Sequence, residues 1–147
     1  MSENTAEILL VEDSRDDVDF FAHTFEKARL TPRLHVVTDG AEALEFVFCT
    51  GRYANRNPSN RLKVIILDLK LPKVSGLEVL RRLKADPRTR TIPVVILSSS
   101  QEERDLIESY ELGVNSYIVK PMDFDEFAKS VRMLGEYWLQ FNQVSKP

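Results

Sequence analysis

Cysteine is all but missing from this chain. Cys49 stands alone, so no internal disulfide is available. A reducing, cytoplasmic setting is the expectation. Long apolar runs are missing too. None approaches the roughly 20 residues that a membrane span needs. The first residues, Met1 to Glu7, are polar and lack a signal-peptide core. Basic surplus is absent: the net charge is −3, which provides no electrostatic footprint for nucleic acid. Neither an internal repeat, a low-complexity tract nor an interdomain linker appears.

What remains is an ordinary globular balance, 43% apolar and 29% charged over 147 residues. That length suits a single domain with its own core. Two kinds of segment alternate along it. Ile8 to Val11 is a short apolar run, and Ser14 to Ala28 then shows helical spacing at Val18, Phe21, Ala22, Phe25 and Ala28. Ser14 with Asp17 predicts the cap. Leu34 to Val37 predicts a second strand, followed past Asp39-Gly40 by a helix from about Ala41 to Cys49. Val64 to Leu67 is β-branched and unalternating, as a strand buried on both faces should be. A helix over Gly76 to Ala85 stops before Pro87, and Val94 to Leu97 repeats the buried-strand pattern. Ser100 with Glu103 predicts a capping box for a helix through Leu112. Tyr117 to Val119 is a fifth strand. Asp123 with Glu126 opens a last helix, whose stripe is Phe124, Phe127, Val131, Leu134, Trp138 and Phe141. Five β–α units in this order predict a parallel sheet covered on both faces.

In such sheets ligands bind outside the carboxyl ends of the strands. The polar residues found there are Glu12 and Asp13 after the first strand, Asp68 after the third, Ser98 and Ser99 after the fourth, and Lys120 after the fifth. Three carboxylates at close quarters invite a hard cation, and Mg²⁺ favours a few carboxylates and retained water. Phosphoryl transfer asks for a nucleophile, charge neutralisation and positioning. A carboxylate serves as the nucleophile. An ammonium and a hydroxyl then suit the phosphoryl oxygens.

Glu12-Asp13, Asp68 within Asp68-Leu69-Lys70-Leu71-Pro72, Ser98 and Lys120-Pro121 together resemble the response-regulator receiver domain, over about residues 7–135. The resemblance implies a flavodoxin-like (βα)5 fold with a five-stranded parallel sheet of order 2-1-3-4-5. It implies Asp68 as phosphoacceptor, with Mg²⁺ held by Asp13, Asp68 and the Lys70 carbonyl, and by Glu12 through water. Ser98, with Ser99 beside it, and Lys120 would contact the phosphoryl group. Tyr117 takes the aromatic switch position, although its spacing also predicts packing against the last helix. The Lys120–Pro121 bond is expected to be cis. Lys70 and Ser100 fall where the family tunes hydrolysis. The donor would be a sensor histidine kinase, and the chain a phosphorylated switch rather than an enzyme, with at most slow self-phosphorylation and self-dephosphorylation.

Residues 50–63 form an insertion rich in turn residues, including Gly51, Asn55, Asn57, Pro58, Ser59 and Asn60. Its Gly51-Arg52-Tyr53-Ala54-Asn55 start resembles single-domain regulators of bacterial and cyanobacterial phytochrome kinases. So does the end of the last helix, expected to reach about residue 142, where Tyr137, Trp138 and Phe141 suggest a homodimer interface. No output domain follows, so the expected output is the domain's own surface. Neither His23, on a polar helix side, nor His35, on the second strand, is expected to take part. The rivals are a phosphorelay intermediate, a pseudo-receiver that is never phosphorylated, an aspartate-nucleophile phosphatase and a flavin binder. The phosphatase wants a second aspartate where Lys70 stands. The flavin binder wants a phosphate loop where Glu12-Asp13 would repel one.

Overall fold

The computed structural model describes residues 6–58 and 62–144. Ser59, Asn60 and Arg61 of the insertion lie outside the described residues. The strands are β1 (Glu7–Val11), β2 (Arg33–Val37), β3 (Leu62–Leu67), β4 (Val94–Ser98) and β5 (Ser116–Val119). The helices are α1 (Arg15–Lys27), α2 (Gly40–Phe48), α3 (Gly76–Ala85), α4 (Glu103–Glu111) and α5 (Phe124–Glu136). All strand pairs are parallel, in the order β2-β1-β3-β4-β5, a flavodoxin-like sheet.

The side-chain period of two sorts each central strand onto two cores. Leu9, Val11, Ile65, Leu67 and Ile96 face Ala43 and Phe46 of α2 and Val79, Leu80 and Leu83 of α3. Ile8, Leu10, Ile66, Val95 and Leu97 face Phe21 and Phe25 of α1 and Phe127, Val131 and Leu134 of α5. Polar caps fix where helices begin. Ser14 Oγ accepts the Asp17 N–H (3.3 Å), Asp39 the Glu42 N–H (2.7 Å), Ser75 the Glu78 N–H (3.2 Å) and Asp123 the Glu126 N–H (3.2 Å). Each such cap is worth about 1 kcal/mol. Among the described residues, no helix is long and apolar enough to cross a membrane.

Four expectations need correction. The Lys120–Pro121 bond is trans, as is every peptide bond among the described residues. Trans is favoured even before proline, and the Lys120 N–H already anchors the residue to the Ser98 carbonyl at 2.8 Å. Ser100 does not cap α4. That helix starts at Glu103 with Glu102 in the cap position, while the Ser100 hydroxyl accepts the Glu102 N–H and donates to Asp105 (2.6 Å). Tyr117 packs on the α2–α3 side of the sheet rather than against α5, because its neighbour Ile118 takes the α5 side. The stripe of the last helix also frays. Phe124 is 73% exposed and Phe141 70%. Past Glu136 the chain winds as a π-turn over Tyr137–Phe141, closed by Asn142 N–H to Tyr137 O. The wider turn rotates Phe141 off the buried face.

The described part of the insertion folds back on α2. Tyr53 donates to Glu42 (2.6 Å), Arg52 to Glu45 (3.1 Å), and the Arg56 guanidinium lies 4.3 Å from the Phe46 ring centre. His35 bonds Glu7 (3.2 Å) at the far end of β1, and His23 is exposed.

Candidate functional site

The carboxyl ends of β1 and β3 lie side by side in the middle of the sheet, so the residues just beyond them meet. Glu12 N–H bonds the Val37 carbonyl and Asp68 N–H the Val11 carbonyl, extending the ladder one residue past each strand. Carboxylate oxygens of Glu12, Asp13 and Asp68 thereby come within 4.8 Å of one another. Gly76 completes the placement of Asp68. Its N–H bonds the Leu69 carbonyl at 2.9 Å, and a Cβ there would run into the Asp68 carbonyl oxygen. A side chain at the start of α3 would push the Asp68 backbone away.

Lys120 balances the cluster. Its Nζ donates to Glu12 Oε1 (2.7 Å) and Asp17 Oδ2 (2.8 Å), and stands 3.4 Å from Asp68 Oδ2. Glu12 is nearly fully buried, and burial raises its carboxyl above the ordinary range. The Lys120 ammonium opposes that rise, and the Asp68 charge adds to it. Burial alone would lower Lys120, but its bonds to Asp17 and Glu12 outweigh this and hold it above the ordinary lysine range. The ammonium therefore stays charged, and the carboxylates outnumber it. Hard oxygen donors, crowded and under-neutralised, fit a divalent cation.

Behind this cluster Ser98 is fully buried, and its Oγ accepts the Ser100 N–H (3.3 Å). The Ser100 carbonyl in turn accepts the Tyr117 hydroxyl (3.0 Å). One residue thus bridges the serine and the tyrosine. Ser99 is exposed. Lys70 is exposed as well and meets the site through its backbone N–H, which donates to Asp68 Oδ1 (3.2 Å). Tyr137 and Trp138 lie elsewhere, along a groove of about 520 Å³ with Ile118 and Met133. The sequence reading missed Asp17 as a site residue. Its signal was its place three residues after the Ser14 cap, in the first turn of a helix that starts at the strand ends.

Five parallel strands in this order, with an acidic trio and a lysine at their carboxyl edge, define a phosphorylation-based signalling switch on a flavodoxin-like sheet. The chain belongs to the response regulator receiver domain family, whose model matches residues 8–132. It is 39% identical over 133 residues to the response regulator Rcp1 of Synechocystis, covering 90% of this chain and 88% of that one. The Mn²⁺-bound Rcp1 structure superposes with a TM-score of 0.88 at 36% identity, over 95% of this chain and 99% of that one. The bacteriophytochrome response regulator AtBRR is 47% identical, with a TM-score of 0.75 over 95% and 99% of the two chains. A probable methanogenesis regulatory protein of Methanothrix harundinacea, FilR2, is 37% identical over 140 residues, 95% of this chain and 88% of that one. The protein is thus a two-component response regulator. Receiver domains bind a divalent metal and act as switches, and the trio here suits such an ion.

Proposed function

We propose that Asp68 accepts a phosphoryl group from a phosphohistidine of a sensor kinase. The convergence of Glu12, Asp13 and Asp68 on one point, balanced by Lys120, carries this reading. An Asp68 carboxylate oxygen forms the new bond to phosphorus as the imidazole nitrogen–phosphorus bond breaks, and the nitrogen leaves with the bonding pair. Asp13, Asp68 and the Lys70 carbonyl would hold Mg²⁺, with Glu12 acting through water. An ion held there would supply positive charge for the phosphoryl oxygens. Lys120 and the Ser98 hydroxyl take phosphoryl oxygens, and Ser99 stands beside them. For that, Ser98 must give up the Ser100 N–H. Ser100 then shifts, and with it the carbonyl that holds Tyr117. The result is a population shift between two packings around β4, α4 and β5. Lys70 and Ser100 stand two residues beyond Asp68 and Ser98, the positions at which the family resemblance implies tuning of hydrolysis, and self-phosphorylation and self-dephosphorylation would be at most slow.

The kinase is proposed to be of the phytochrome type, on the strength of the likeness to AtBRR. Half-exposed Tyr137, which lines the α5 groove, and exposed Phe141 further along the chain support a homodimer through this end, which sedimentation before and after phosphorylation tests. Asp68→Asn is expected to lose all kinase-dependent uptake of phosphate. Retained uptake in that variant would move the acceptor elsewhere. Transfer profiling against purified histidine kinases separates a phytochrome-type partner from any other.

A further inference from the structure

The receiver machinery leaves one contact unexplained. Lys120 Nζ makes two short bonds, to Glu12 (2.7 Å) and to Asp17 (2.8 Å), and a long one to Asp68 (3.4 Å). Asp17 is not part of the acidic trio that suits a cation. It belongs to the first turn of α1, and its side chain is 33% exposed, against 6% for Glu12 and 11% for Asp68.

We infer that Asp17 is a positioning residue that parks the Lys120 ammonium away from Asp68 and releases it to a phosphoryl oxygen. The inference rests on Asp68 being the acceptor. An ammonium has three N–H groups, and here the two short bonds go to Glu12 and Asp17. Without the pull of Asp17, the ammonium would settle on Asp68 and compete with a cation for its oxygens. Asp17 thereby keeps Asp68 open to metal. Once a phosphoryl group stands on Asp68, the ammonium is drawn towards its oxygens from its present 3.4 Å stand-off, and that movement stretches one of the two short bonds. Glu12 is buried and would be left as an uncompensated charge. Asp17 reaches water, so its release is the cheaper one. Helix polarity does not account for the contact. Asp16 in the same turn complements the helix N-terminus equally, and no bond joins it to Lys120.

The two halves of this role have opposite signs; loss of fold would not produce that, and the Asp16→Asn and Lys120→Ala controls separate it from the bare loss of a nearby charge. Calorimetric titration of the full chain is the test, first with Mg²⁺ alone, then with beryllofluoride at saturating Mg²⁺ as a phosphoryl mimic. Asp17→Asn is expected to weaken Mg²⁺ about 3- to 5-fold and to tighten beryllofluoride by a similar factor, the scale of a part-exposed ion pair. Asp17→Glu should lie nearer the wild type. Asp16→Asn, which removes the same charge from the same turn, should move neither constant appreciably. In a Lys120→Ala background the effect of Asp17→Asn should vanish, since the two residues act as one pair. Equal shifts from Asp16→Asn and Asp17→Asn, shifts of one sign for both ligands, or an undiminished effect without Lys120 would each overturn the assignment. The Mg²⁺ arm does not depend on phosphorylation. Failure of Asp68 to be the acceptor would show instead as phosphate uptake by Asp68→Asn.

Discussion

Two charge clusters lie close to the start of α3, and they are near inverses. At the carboxyl edge of the sheet one cation, Lys120, serves Glu12, Asp17 and Asp68. On the exposed side of α3 one anion, Glu78, serves Arg81 and Arg82. Both show an excess of one sign, yet they do different things. Around Glu78 the arginine side chains are more than half exposed, and water and salt absorb the imbalance. Around Lys120 the side chains of Glu12, Asp68 and Lys120 are 6%, 11% and 13% exposed, and water, which enters only at the Asp13 and Asp17 side, absorbs less of the imbalance. Stored negative charge in a buried place is what draws a cation. Imbalance alone is therefore no sign of function; imbalance without solvent is.

The sharpest way to break this contrast is Lys120→Ala. Removing one partner of a buried pair leaves uncompensated charge and costs about 3–5 kcal/mol. Because the cluster opens to water at Asp13 and Asp17, about 2–3 kcal/mol is expected, read from urea unfolding in chelator. Added Mg²⁺ should recover much of that loss, since the carboxylates would gain another counter-charge. A variant as stable as the wild type in chelator would place the two clusters in one class.

Next in size is Gly76→Ala. Gly76 begins the helix that carries Glu78, but its α-carbon faces the other cluster, where a Cβ would run into the Asp68 carbonyl oxygen and lie 2.6 Å from Leu69 Cα. Neither is a flexible side chain, so backbone must shift, a change of about 1–3 kcal/mol. Because it is Asp68 that moves, Mg²⁺ affinity should fall as well. An unfolding midpoint and Mg²⁺ affinity both at wild-type values would show that the α3 start does not set the acceptor's place.

Most of this was legible in the sequence, for a physical reason. Carboxyl ends of parallel strands lie on one edge, so Glu12, Asp13, Asp68 and Lys120 could be placed on the same edge from the strand pattern, and the family resemblance supplied the order that makes them neighbours. Contacts set by one rotamer or one turn could not. Asp17 read as the partner of a cap, and only coordinates show its carboxylate on Lys120. Ser100 carries the sequence of a capping box, but its hydroxyl accepts the Glu102 N–H and donates to Asp105, and this competing local pattern lets the helix start at Glu103 instead. Tyr117 could face either side of β5, and a one-residue difference in strand phase reverses the answer. The Lys120–Pro121 bond, expected to be cis by family likeness, is trans, and Lys120 reaches the carboxylates from there.

The smallest expected effect belongs to Glu78→Gln, and it tests the other half of the contrast. Bonds from Arg81 and then Arg82 lower the Glu78 carboxyl from 4.5 to about 2 in the folded chain. A depressed carboxyl stabilises the fold above its unfolded value and loses that contribution as pH falls through its folded one. The difference between wild type and variant should thus be present at neutral pH and shrink as pH drops from 4.5 towards about 2. Salt of about 1 M, which screens charges beyond roughly 3 Å, should remove most of it at neutral pH. Urea midpoints across pH and salt make the measurement. A difference that grows on acidification, or that survives high salt, would mean Glu78 is held as firmly as Glu12 and that exposure does not separate the two clusters.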